Sequence, residues 1–171
     1  MLAAGFETTV NLIGNAVHQL GRHPEQFDLL RADPSLWPNA VEEVLRHDSP
    51  VQLTLRIARR DTEVAGTPIK QEGAVLTLLG GANRDPAVFS EPDAFDVRRE
   101  NANAHLAFSS GIHFCLGAGL ARMEATVALQ ALYDRFPDLT PSGLPTRRGT
   151  RVLRGYEHLP VAVGAQQRTS A

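Results

Sequence analysis

Apolar residues recur at helical spacing from the second position of the chain. Leu2, Phe6, Val10, Ile13, Val17 and Leu20 follow three- and four-residue steps, which predicts a buried amphipathic helix that stops near Gly21. Glu7, Asn11, Asn15 and His18 interrupt the apolar run, and no basic leader precedes it. It is therefore read as neither a membrane span nor a targeting segment. The helical period begins without a capping residue, as though the helix were entered partway along. Pro24 then opens a second helix to about Ala32, and Asp33-Pro34 breaks it. A third is expected from about Ser35 to His47, with Val41, Val44 and Leu45 inward.

Beyond Asp48-Ser49-Pro50 the period becomes two. Val51, Leu53, Leu55 and Ile57 alternate with Gln52, Thr54, Arg56 and Ala58, as in a half-buried strand. Val64 and Ile69 flank a turn at Gly66-Thr67-Pro68, and Ala74 to Leu79 forms another apolar run, so small sheet hairpins are expected. No period survives from Gly80 to about His105. Structureless loops longer than ~15 residues are uncommon in compact domains and tend to be functional, so something must hold this one in place. The last helix is expected from about Gly117 to Phe136. It carries Leu120, Met123, Val127 and Ala131 on one line, with Ala121, Ala125, Ala128 and Leu132 beside it, and Pro137 ends it. A basic stretch from Arg147 to Arg154 precedes Leu159 to Val163, an alternating run read as a closing edge hairpin. The class is mainly α with small β-sheets (α+β), with no internal repeat and no linker.

Composition narrows the partners. Lys and Arg number 17 against 19 Asp and Glu, a net charge of −2, which lacks the basic excess of a nucleic-acid protein. An apolar fraction of 43% excludes disorder, and a single Cys excludes an intramolecular disulfide.

That Cys115 stands just ahead of the last helix, where unpaired amides and the helix dipole favour a thiolate; the alternative is an inert buried filler. Gly111 and Gly117 would let the backbone fold tightly around the sulfur. His105, His113 and Cys115 are too few and wrongly spaced for structural zinc. Gly117-Ala118-Gly119 lacks the leading strand and the third glycine of a dinucleotide loop. Glu43 and Arg46, three apart, share a helical face. They form either an exposed pair or, with Arg99 from the long loop, a pin that holds that loop. In Ala4-Gly5-Phe6-Glu7-Thr8-Thr9, Gly5 weakens the helix and Thr8 can bond the carbonyl one turn back. The segment is either disposed to bend or packed closely through Ala4 and Gly5.

Together these patterns resemble the cytochrome P-450 family of haem-thiolate monooxygenases. Its haem loop reads F-x-x-G-x-H-x-C-x-G followed by L-A-R, and the chain supplies Phe108, Gly111, His113, Cys115, Gly117 and then Leu120-Ala121-Arg122. Its E-x-x-R pair matches Glu43 and Arg46, Arg99 stands at its third, loop-borne position, and its A-G-x-E-T segment matches Ala4 to Thr8. The His before the Cys and the Leu-Ala-Arg after it are similar to the soluble bacterial branch.

The resemblance implies haem b with Cys115 as proximal iron ligand, and His113 and Arg56 on the propionates. Phe108, Gly111 and Gly117 would shape the Cys side of the ring. Glu7 and Thr8 would deliver protons to dioxygen at an opened turn of the first helix. Pro50 to Thr54 and a turn from Arg154 to His158 would border a small organic substrate. Electrons would come from NAD(P)H through a ferredoxin-type donor and its reductase, in the cytoplasm, with no nucleic acid or membrane as partner. It also implies that residues 1–171 are the C-terminal portion of one such domain whose N-terminal half is absent. Two expectations follow: the catalytic portion of a hydroxylating monooxygenase, or a truncated, non-catalytic remnant that binds haem weakly or not at all.

Overall fold

A computed structural model describes residues 2–164; residue 1 and residues 165–171 of the expected single domain lie outside the described residues. Helix α1 runs from Leu2 to Arg22, α2 from Pro24 to Ala32 and α3 from Trp37 to His47. Between the last two, Pro34–Leu36 forms a 3₁₀ turn where a continuous third helix was expected from Ser35. Asp33 explains the break, because its carboxylate accepts from the Ser35 amide at 3.0 Å and starts the new helical segment there. Strands β1 (Thr54–Ile57), β2 (Thr62–Val64), β3 (Thr67–Ile69) and β4 (Ala74–Thr77) follow, then the one-turn helix α4 (Leu79–Ala82). After a long irregular stretch comes α5 (Ala118–Arg135), and last β5 (Leu139–Pro141), β6 (Thr146–Arg147), β7 (Tyr156–His158) and β8 (Val161–Val163).

All pairing is antiparallel and in two-stranded ribbons: β1 with β4, β2 with β3, β5 with β8, β6 with β7. The expected closing hairpin at residues 159–163 is corrected by this order. β8 pairs with β5, twenty residues earlier, and the β6–β7 ribbon lies between them in sequence. The strand expected from Val51 is also shorter, Val51 making only an isolated bridge to Leu153. Its alternation is real but its apolar face is not covered. Leu55, Ile57 and, on the paired strand, Leu76 are exposed because no element among the described residues packs over them.

The core lies where α1, α3 and α5 meet. Leu12, Ala16 and Leu20 pack with Val41, Val44 and Leu45 and with Ala125, Leu129 and Tyr133. The N-terminal part of the expected α1 face departs from this, with Phe6 71% and Val10 44% exposed. On α5, Leu120, Met123 and Val127 are exposed, and the buried line runs instead through Ala118, Ala125, Leu129 and Tyr133.

Asn11 and Asn15, two of the α1 positions that looked like interruptions, are buried, while Glu7 and His18 are half-buried. Asn11, Asn15 and Gln19 recur every four residues, so they share one face. Asn15 Nδ2 donates to the carbonyls of Asp48 (2.8 Å) and Arg154 (3.1 Å), and Gln19 Nε2 donates to Asp48 Oδ2 at 3.0 Å. Asp48 also receives Arg147 at 3.0 Å and Arg154 at 2.6 Å, so half of the basic stretch has a buried counter-ion. Gly155 is required beside this centre, since a Cβ there would stand 2.1 Å from Asn11 Oδ1.

The long loop is held by charge. Glu43 and Arg46 are both 0% exposed and form a bidentate pair at 2.7 and 2.8 Å. Glu43 also accepts the Asp96 amide at 3.0 Å and lies 3.3 Å from Arg99 Nε. Arg46 spends its remaining donors on the carbonyls of Asn83, Pro92 and Ala94, and Arg99 on those of Ser90, Glu91 and Ala94. Five carbonyls between 83 and 94 are thus bound by guanidinium instead of by a sheet or helix.

Removing one partner of such a centre leaves buried charge uncompensated. Glu43→Ala should cost about 3–5 kcal/mol, read as a lowered urea midpoint together with new protease cleavage between residues 84 and 104. A second expectation concerns acid. Burial, and then the nearby Arg84 guanidinium, push His47 down to about 4. The unfolded chain binds this proton near pH 6.5, so the contribution is complete above that value and is lost as pH falls from 6.5 towards 4. With its partial exposure allowed for, His47→Gln should flatten the acid limb by about 2 kcal/mol between neutral pH and about pH 4.5, measured by urea midpoints at both.

Candidate functional site

One cavity of about 730 Å³ opens between the first half of α1 and the segment leading into α5. That volume lies in the range of small-molecule and cofactor sites. Glu7, Thr8, Phe108, His113, Cys115 and Gly117 all line it, with Leu12, Ile13, Leu45, Leu79 and Ala107 as apolar wall. Residues more than a hundred positions apart are therefore brought to one space.

The loop from 108 to 117 owes its shape to backbone geometry. The Cys115 amide donates to the Phe108 carbonyl at 3.0 Å, and the Phe114 amide to the Gly111 carbonyl at 3.1 Å. Ser109 at φ +62° and Gly111 at φ +64° take the left-handed turn between them, and Gly111 is the residue for which that costs least. Gly117, by contrast, sits at φ −90° as the N-cap of α5 with nothing within 4 Å of a would-be Cβ. Its value is not a special conformation, as expected, but the open space it leaves beside Cys115. Cys115 is exposed, so the buried-filler alternative is excluded.

Arg56 does not line the cavity. It reaches the edge, its Nη2 donating to Ser109 Oγ at 3.4 Å. On the α1 side, Thr8 Oγ1 donates to the Ala4 carbonyl at 2.8 Å, and Glu7 Oε1 pairs with Arg148 at 3.1 Å. Helix α1 is unbroken here, which corrects the expected opened turn: the Thr8 hydroxyl shares the Ala4 carbonyl instead of displacing a backbone amide from it. Close packing through Gly5 is not found either, since nothing lies within 4 Å of its would-be Cβ.

Glu43, Arg46 and Arg99 form the separate buried centre already described and do not reach the cavity. Pro50, Val51 and Thr54 line it. The expected turn from 154 to 158 is instead strand β7, whose Tyr156 ring lies 4.9 Å from that of His18 on α1, and from that side Leu153 reaches the cavity.

One cluster had no counterpart in the sequence reading. His105 Nε2 lies 2.9 Å from Glu42 Oε2, and Arg122 donates to both Glu42 oxygens. Burial would raise the Glu42 carboxyl, but the hydrogen bonds from His105 and Arg122 outweigh it and hold the group below its ordinary value. Arg122 was legible only as a letter of the Leu-Ala-Arg motif, and Glu42 only as the neighbour of Glu43. Among the described residues no group of three or more His, Cys, Asp or Glu side chains could hold a metal ion. Nor is any helix among them long and apolar enough to cross a membrane.

The donor set fits a haem better than a bare ion. A single exposed sulfur stands on the wall of an apolar cavity, beside the gap left by Gly117, with the cationic Arg56 and the imidazole of His113 near its edge for carboxylates.

Residues 1–147 match the family described as cytochrome P-450. Cytochrome P-450 140 of Mycobacterium tuberculosis is 58% identical over 164 residues, covering 96% of this chain and 37% of that protein. The 6-deoxyerythronolide B hydroxylase of Saccharopolyspora erythraea is 47% identical, covering 94% and 40%. Among solved structures, CYP109E1 from Bacillus megaterium in complex with testosterone superposes with a TM-score of 0.92 at 39% identity, over 96% of this chain and 46% of that one. The chain thus spans about two fifths of the length of the curated relatives it matches.

Two glycines of this site should respond in opposite directions. Gly111→Ala should lose about 1 kcal/mol from its left-handed backbone. Gly5→Ala, in helical backbone with open space around it, should gain about 0.5 kcal/mol; thermal unfolding of the two variants measures both.

Proposed function

Because the chain belongs to the cytochrome P-450 family, we propose that it carries the haem-ligating part of a monooxygenase that inserts one atom of dioxygen into a small organic substrate. In this reading Cys115 would hold the iron of a haem b. The observation that carries it is the Cys115 sulfur exposed on the wall of the cavity that Glu7 and Thr8 also line. When bound, the haem supplies the one-electron and dioxygen chemistry that oxidises a substrate C–H bond while the second oxygen atom leaves as water.

The chain's own residues would then divide the work. Cys115 presents a thiolate from a loop ahead of α5, where the helix dipole favours negative charge. Arg56 and His113 would donate charge-assisted hydrogen bonds to the propionates. Phe108 would pack on the Cys side of the ring and Gly117 would leave room for the macrocycle, while Gly111 turns the loop. Glu7 and Thr8 hold protons at a carboxylate and at Oγ1 on the opposite wall, and Arg148 keeps the Glu7 carboxylate placed until it is needed. Glu43, Arg46 and Arg99 hold the loop that leads to this wall.

Electrons reach the site from NAD(P)H through a ferredoxin-type donor and its reductase, and the setting is the cytoplasm. The apolar wall of Leu12, Ile13, Leu45 and Leu79 suits an apolar substrate.

A second reading, retention of the motifs with weak haem binding and no turnover by the 171 residues alone, is supported by the exposed apolar line of Leu120, Met123 and Val127 and by Phe6. A reduced carbon-monoxide difference spectrum of the chain with added haem separates the two. The thiolate signature supports the first reading, and a signature that is weak or lacking supports the second. In a chain that shows it, Cys115→Ser should abolish that signature while leaving expression and far-ultraviolet dichroism unchanged; an unaltered spectrum sinks the ligand assignment.

A further inference from the structure

The Cys115 loop buries little of itself. Ile112 is 97% exposed and Leu116 87%, so apolar burial does not hold it, and two of its residues are in left-handed backbone. It is held at its two ends, by buried Ala118 at the start of α5 and by its base, residues 105–108.

Both oxygens of Glu42, on α3, act on that base. On one side His105 Nε2 lies 2.9 Å from Oε2, while His105 Nδ1 accepts the Ala107 amide at 3.1 Å. A ring nitrogen that accepts carries no hydrogen, so His105 is the neutral tautomer that donates to Glu42 through Nε2. On the other side Arg122, from α5, is gripped by both carboxylate oxygens, and its guanidinium carbon lies 4.6 Å from the centroid of the Phe108 ring. Guanidinium over an aromatic face is favourable, and a planar group held at its edge by carboxylate cannot swing away. One arm fixes the backbone at Ala107 and the other fixes the ring of Phe108. The Phe108 carbonyl between them accepts the Cys115 amide at 3.0 Å.

We infer that Glu42 is a positioning residue for Cys115, acting through His105 and Arg122 to hold the Phe108 carbonyl that anchors the cysteine amide. The inference rests on the reading of Cys115 as iron ligand for its functional meaning, but the mechanical linkage exists in the chain without haem. It also differs in kind from the Glu43 centre, which holds residues 83–99 and reaches the 105–117 segment through Asn83, whose Oδ1 accepts the Leu106 amide at 2.6 Å.

Hydrogen exchange read by mass spectrometry on the 171-residue chain tests the linkage. Glu42→Gln removes the charge that grips Arg122, and the milder Arg122→Lys keeps a cation but loses the flat group over Phe108. Each should speed amide exchange across residues 106–117 by about tenfold and leave the buried turns of α3 and α5 within about twofold of the parent. With haem added, both variants should show several-fold less thiolate signature per bound haem than the parent. Unchanged exchange at 106–117 overturns the inference. So does a loss of protection spread evenly through α1, α3 and α5, because Glu42 would then serve only general stability. A parent chain without a thiolate signature counts against the Cys115 assignment alone, and the exchange comparison still decides whether Glu42 holds the loop.

Discussion

A carboxylate and two guanidiniums shut away from water make the rest of this structure possible. An isolated buried charge is costly, and a buried pair offsets that cost only when every remaining donor and acceptor is used. Around Glu43 this condition is met with loop backbone, the carboxylate taking Arg46, Arg99 and the Asp96 amide while the guanidiniums take carbonyls from 83 to 94. A long stretch without regular structure can therefore be ordered. That stretch delivers residues 105–117 to their place against α1 and α3, so the cavity inherits its geometry from a centre that does not line it.

The helices were legible because their signals are local. Apolar steps of three and four, Pro24 at a first turn and Asp33 before a break lie within a few residues of what they determine, and α2 falls on its expected bounds. What was misread depended on distant partners. Asn15 and Gln19 look solvated until Asp48 and the Arg154 carbonyl are brought to them, the latter from 139 residues beyond Asn15. The period of α5 displays two apolar lines but not which one is covered, and β8 seeks β5 across an intervening ribbon instead of a neighbour.

The candidate site divides in the same way. Phe108 to Gly117 could be singled out because glycines, histidine and cysteine stand within ten residues of each other just ahead of a helix. Glu42 could not, since its partners lie 63 and 80 residues on and its neighbour Glu43 already had an arginine at the right local spacing. An unbroken α1 is the other lesson. Gly5 and Thr8 weaken a helix on paper, yet a hydroxyl that shares a carbonyl leaves the backbone ladder in place.

Glu42 and Glu43 are consecutive on one helix, so their side chains leave α3 about 100° apart. Each grips a different irregular segment. The two segments also meet directly, where Asn83 accepts the Leu106 amide. Consider a single residue inserted into or deleted from α3 upstream of the pair. It would rotate both carboxylates together and release both segments at once, so the register of this one turn tolerates neither insertion nor deletion.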